Sequence, residues 1–184
     1  MQRCQWITGQ PGFYVNYHDH EWGKPIYGDQ KLFACLVLEL FQAGLSFKTI
    51  LNKRANFQTA FAHFAIDQVA QFTAVDVERL MQDAGIVRHR AKILAAITNA
   101  QCIVKLQAQG QTFTDFVWQF VDNQVIDHQI TTMATIPTSI SATQQLQKAL
   151  KKAGFKFVGE KTVYAFMQAA GLVNDHEITC AFHG

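Results

Sequence analysis

Apolar positions along this chain recur mainly at intervals of three and four, a period that predicts helices. Leu32, Phe33, Leu36, Val37 and Leu40 form one such stripe, with Asp29 placed to cap its start. Ser46 opens a second stripe through Ile50, Leu51, Phe57, Phe61 and Phe64. Val75 to Ala84 reads as a short helix closed by Gly85, and Arg90 to Gln107 as a longer one ending near Gly110. Asp115 to Val121 is a further apolar segment, whereas Thr131 to Ser141, rich in Thr and Ser and holding Pro137, reads as a loop. Ser141-Ala-Thr-Gln144 has the form of a capping box, opening a helix with Leu146, Ala149 and Leu150 on one face. That helix stops at Gly154, and another runs from beyond Gly159 to Gly171. Strand-type alternation is scarce. The expectation is an all-α fold, with residues 1–184 forming one domain or two lobes around a cleft.

Composition narrows the class. At 184 residues, 49% apolar and 16% charged, the chain is globular rather than disordered, and its fifteen Phe argue for a large aromatic core. No apolar run reaches membrane-span length, since even Leu36 to Leu45 is broken by Glu39 and Gln42. The start, Met-Gln-Arg-Cys-Gln-Trp, lacks the apolar stretch of a signal peptide. A cytoplasmic protein is expected, with Cys4, Cys35, Cys102 and Cys180 reduced.

A net charge of +2 announces no polyanion partner, but the distribution is uneven. Lys148, Lys151, Lys152, Lys156 and Lys161 crowd one stretch, and Arg88, His89, Arg90 and Lys92 form a second basic patch. The lysines bracket Gly154-Phe-Lys-Phe-Val-Gly159, where glycines allow sharp turns that bring amide N–H groups to the surface. With the N-terminus of the next helix these make an anion site suited to DNA phosphate, formed by Gly154, Lys156, Gly159 and Lys161. A hairpin that serves packing alone is the other reading.

The two ends of the chain carry a matched ligand set: Cys4 and His18 at the start, His176 and Cys180 at the finish. Two Cys and two His suit a closed tetrahedral zinc site clipping the termini together. Four unrelated core residues would look the same from spacing alone. His20 and His183 stand close enough in sequence to be alternative ligands.

Taken together, ordered motifs across nearly the whole chain resemble the DNA-3-methyladenine glycosylase I family. They include Arg3-Cys-x-Trp6, Tyr14-x-x-Tyr17-His-Asp19, Glu21-Trp-Gly23, Leu38-Glu39, Gln42-Ala-Gly-Leu-Ser46 and Asp83-Ala-Gly-Ile86. Arg88-His-Arg90, Asp115-Phe-Val-Trp118, Ile136-Pro-Thr-Ser139 and Lys148-Ala-Leu-Lys-Lys152 follow. The hairpin, Phe166-Met-Gln168 and Gly171-Leu-Val-Asn-Asp-His176 complete the set.

This resemblance implies an all-α fold with a helix-hairpin-helix element. It also implies a structural zinc on Cys4, His18, His176 and Cys180, and action on alkylated double-stranded DNA as a monomer. The lesion implied is 3-methyladenine, released as the free base. While attached to deoxyribose that base is cationic and already a good leaving group. The enzyme must therefore mainly extract it, recognise it and stabilise positive charge on the sugar as water attacks.

Glu39, set in the apolar run Cys35-Leu-Val-Leu-Glu-Leu-Phe, matches a base-pocket glutamate; a surface Glu paired with a lysine is the alternative. Trp6, Tyr14 and Tyr17 match pocket aromatics, and Phe47 stands where the family commonly has Trp. Leu40 and Phe41 replace a small and a polar residue. Lys161 resembles the lysine of glycosylases that also cleave the strand through a Schiff base, but the aspartate those enzymes carry farther along has no counterpart here. The expected activity is thus monofunctional, with a glycosylase/lyase and a catalytically silent lesion-binding module as alternatives.

Overall fold

A computed structural model describes all residues, 1–184. It contains ten α-helices: α1 Gly12–His20, α2 Asp29–Gln42, α3 Phe47–Asn52, α4 Arg54–Ala60, α5 Ile66–Ala70, α6 Ala74–Gln82, α7 Arg90–Ala108, α8 Phe113–Trp118, α9 Ser141–Lys152 and α10 Glu160–Ala169. The one departure from helix is a minimal parallel pair, β1 Ile126–Asp127 and β2 Val173–Asn174, in the register Ile126 to Val173. A bridge from Ile130 to Glu177 extends it, holding the segment before α9 against the C-terminal tail.

Helix α2 is the axis of the molecule. From Leu36 to Phe41 every side chain is buried, Glu39 included, because α3, α7, α8 and α10 all pack against it. Asp29 does not cap α2 as its position suggests. Its carboxylate accepts the amides of Phe113 and Thr114, at 2.9 Å each, together with Gln107 Nε2 and the Thr114 hydroxyl, and so caps α8. Burial opposes its ionisation, but these four donors prevail and hold the Asp29 carboxyl below its usual range.

The stripe from Ser46 to Phe64 is not one helix. Ser46 does cap α3, its hydroxyl accepting Thr49 N at 3.3 Å. The path then bends at Lys53 into α4 and unwinds after Phe61, where Ala62, His63 and Phe64 all take left-handed angles. The bends let Phe57, Phe61 and Phe64 converge on Phe41 and Phe33, with Phe41–Phe57 centroids 4.8 Å apart. Aromatic packing outweighs local helix propensity here. The capping box at Ser141 does not form either. Helix α9 already includes Ser141, Thr143 Oγ1 accepts from Ile140 N, and the Gln144 amide donates to Glu160.

Gly154 takes the left-handed angle expected at a helix end (φ +98°), whereas Gly159 has an ordinary φ and the second strained position falls on Phe157 (φ +56°). Gly171, which ends α10, also has a left-handed φ of +70°. A Cβ there would stand 2.3 Å from the Lys24 carbonyl carbon. Gly171→Ala therefore costs about 2–4 kcal/mol, read as a drop in thermal midpoint of several degrees; an unchanged midpoint contradicts this close approach.

Candidate base pocket and metal centre

Buried side-chain chemistry is concentrated where α1, α2 and α10 meet. Glu39, 4% exposed, projects from α2 into a cavity of about 230 Å³. The predicted Trp6, Tyr14, Tyr17 and Phe47 all line it. They come from the turn after Cys4, from α1 and from the first residue of α3. Tyr14 and Tyr17 stack nearly parallel (20°), and Phe47 tilts against Tyr17 at 5.0 Å. The lining also holds Trp22, Gln42, Met133, Ile136, Ala165 and Gln168, for which periodicity gave no sign. A second cavity of about 220 Å³ shares Tyr17, Glu39 and Phe47, and is edged by Lys31 and the Glu21–Arg54 ion pair. Leu40 and Phe41 are fully buried in the core, outside both cavities, so those departures from the family pattern do not touch the pocket.

Oε2 of Glu39 is buried without a hydrogen-bond partner. Desolvation accordingly pushes the Glu39 carboxyl up from 4.5 to about 8. The walls thus present an acid that lacks a donor, ringed by flat side chains. Such a site is suited to a planar ligand bearing N–H groups and positive charge.

The four end ligands also meet. The donor atoms of Cys4, His18, His176 and Cys180 all lie within 4.8 Å of one another, and all four residues are buried. Cys4 Sγ and His176 Nδ1 are 3.5 Å apart, Cys180 Sγ and His176 Nδ1 3.6 Å, and Cys180 Sγ and His18 Nε2 3.7 Å. Tetrahedral zinc with S and N ligands needs edges of about 3.3–3.8 Å. The outer contacts suit a metal as well. His18 Nδ1 donates to Asp19, itself gripped by Arg3, and His176 Nε2 donates to the Trp22 carbonyl, so each ring turns its free nitrogen inward. Amides of Glu177 and Phe182 point at the two sulfurs. The group can hold a metal ion. His183 bonds instead to the His176 carbonyl and Asp127, and His20 is exposed, so neither joins the cluster.

Pocket and cluster touch through aromatic edges. Trp6 packs on His18 at 5.2 Å and Trp22 on His176 at 4.6 Å. The cluster thus buttresses one wall of the cavity.

The hairpin between α9 and α10 is anchored from inside. Phe155 and Val158 are buried, and the buried Asn99 side chain bonds both the N–H and the C=O of Lys156. Gly159 and the side chains of Lys156 and Lys161 stay exposed, while Gly154 is half-buried. All five clustered lysines are exposed and lack ion-pair partners. The second basic patch is partly committed to internal contacts, leaving Arg88 exposed and without an ion-pair partner. Arg90 pairs with Glu78, His89 caps α7, and Lys92 is buried with its ammonium on the Phe41 and Ala43 carbonyls, closing the C-terminal end of α2.

Glu39 also leaves a signature in stability. A carboxyl with its folded pKa raised contributes stability fully present below 4.5 and lost as pH rises through about 8. Glu39→Gln should remove that slope and be more stable than the parent by about 2 kcal/mol at pH 9. Parallel denaturation curves for the two proteins across pH 5–9 would contradict this.

Comparison with known proteins agrees with this arrangement. A sequence model described as methyladenine glycosylase matches residues 6–183. The chain is 52% identical to DNA-3-methyladenine glycosylase 1 of Escherichia coli over 98% of this chain and 96% of that protein. It is 44% identical to the DNA-3-methyladenine glycosylase of Haemophilus influenzae over 97% and 96%. A crystal structure of 3-methyladenine DNA glycosylase I superposes at a TM-score of 0.97, with 49% identity and full coverage of both chains. A Staphylococcus aureus 3-methyladenine DNA glycosylase I, solved to explain 3-methyladenine recognition, superposes at 0.94 with 41% identity over 100% of this chain and 97% of that one. This chain belongs to the methyladenine glycosylase family and is a DNA glycosylase, a hydrolase of N-glycosyl bonds.

Proposed function

We propose that residues 1–184 act as one monomeric, cytoplasmic, monofunctional glycosylase domain that flips 3-methyladenine out of alkylated DNA and hydrolyses its bond to deoxyribose. The observation that carries this reading is the partnerless oxygen of Glu39 inside an aromatic cavity. N3-methylation gives the attached base a positive charge, which draws the Glu39 proton off to solvent; the carboxylate then attracts the ring while accepting an N–H of the exocyclic amine. Trp6, Tyr14, Tyr17 and Phe47 supply flat surfaces that hold the ring and exclude water from it. Water adds to the sugar carbon as the bond to the base breaks. The electron pair goes to the base, which leaves neutral, and the water proton goes to solvent.

DNA is held by α9, the 154–159 hairpin and α10, acting as a helix-hairpin-helix element. Gly154, Lys156, Gly159 and Lys161 contact phosphate, and the exposed lysines add charge. Lys161 acts there as a phosphate contact. The next aspartate along the chain after Lys161, Asp175, is buried and already accepts from Tyr164, Gln168 and His128.

Zinc is the metal we assign to Cys4, His18, His176 and Cys180. Four protein ligands close its coordination, so it would hold the termini together and keep the buried thiols as thiolates. Its role is structural.

Glu39→Ala should lower release of 3-methyladenine from methylated duplex DNA by about a hundredfold or more, and Glu39→Gln by about tenfold or more. Full activity in both variants would overturn the pocket assignment. Elemental analysis of protein purified without added metal should find one zinc per chain. Cys180→Ala should lose that zinc and several degrees of thermal midpoint; full stability without metal would contradict the structural role.

A further inference from the structure

Gln168 lines the same cavity as Glu39, from the facing helix α10. Its Nε2 donates to Asp175 Oδ2 at 2.7 Å. Asp175, 1% exposed, also accepts the Tyr164 hydroxyl at 2.7 Å and His128 Nδ1 at 2.6 Å. A carboxylate in this setting only accepts. The contact therefore decides which end of the Gln168 amide faces Asp175, since a flipped amide would set two acceptors against each other. The carbonyl Oε1 is the end left over, and no protein donor reaches it.

We propose that Gln168 Oε1 is a second acceptor for the flipped base, set by Asp175 as a positioning residue, and that it makes the pocket select 6-amino over 6-oxo purines. The inference rests on the cavity being the base site. A 6-amino group has two N–H bonds, one for Glu39 and one for Gln168. A 6-oxo group, as in 3-methylguanine or hypoxanthine, can pair with Glu39 only while that carboxyl keeps its proton, and it always sets an acceptor against Gln168 Oε1, a mismatch polar sites reject strongly. The selectivity thus comes from the orientation of a neutral amide as well as from the charge on Glu39.

The test compares single-turnover release of 3-methyladenine and 3-methylguanine from the same methylated duplex DNA. It is paired with affinities for the two free bases, read by quenching of Trp6 and Trp22. Gln168→Leu, with the length-matched Gln168→Met as a check on packing, should lower the adenine-to-guanine ratio about tenfold in both measurements. Asp175→Asn can donate to Oε1 and turn the Gln168 amide over, so it should shift the ratio in the same direction. A purely structural role for Gln168 would slow both lesions together, and a ratio within about twofold of the parent in both Gln168 variants would overturn the inference. If the parent protein releases no 3-methyladenine at all, the pocket reading fails instead.

Discussion

Burying a carboxyl group without a partner is the constraint around which this structure is arranged. Glu39 sits on the most enclosed stretch of α2, where no solvent and no donor reach Oε2, and its ionisation is correspondingly disfavoured. Here the side chains that share the cavity with it are Trp6, Tyr14, Tyr17 and Phe47, with Tyr17 and Phe47 packed together. The pocket thereby holds a carboxyl oxygen with no partner and no positive charge beside it. A cationic adenine lesion brings both, and an unmodified base brings no charge.

The wall of the pocket depends on the two ends of the chain. Trp6 follows Cys4 by two residues, and Tyr14, Tyr17 and Trp22 lie on or just beyond α1. This segment has few aliphatic contacts of its own and is held by the Cys4–His18–His176–Cys180 cluster and the Arg3–Asp19 pair. Edge contacts from Trp6 to His18 and from Trp22 to His176 pass that rigidity to the cavity. The minimal β1–β2 pair does the same for the other strand of chain, placing Asp175 under Gln168 and His176 in the cluster. Closing the termini and shaping the pocket are thus one task.

Helices α2, α6, α7, α9 and α10 were legible from apolar side chains at helical spacing and from the glycines that flank them. Helix α1 was not, since its buried face is Tyr17, His18 and Asp19, residues that periodicity counts as polar or ambiguous. The breaks between Ser46 and Phe64 were hidden because they serve contacts with Phe33 and Phe41, which lie on a different helix. Asp29 likewise pointed to the wrong helix start, since its partners lie 78 to 85 residues away. The end ligands and the first pocket aromatics could be named from their residue types and motif resemblance. Met133, Ile136, Ala165 and Gln168 could not, because a loop and α10 join the site only through the tertiary fold.

The most direct measurement is a carbon-13 NMR titration of the Glu39 carboxyl, without ligand and with 3-methyladenine bound. Without ligand it should titrate near 8, and ligand that donates hydrogen bonds to it should move the midpoint down. An ordinary glutamate midpoint in the empty protein, unmoved by 3-methyladenine, would mean that Glu39 is neither desolvated nor in contact with the base.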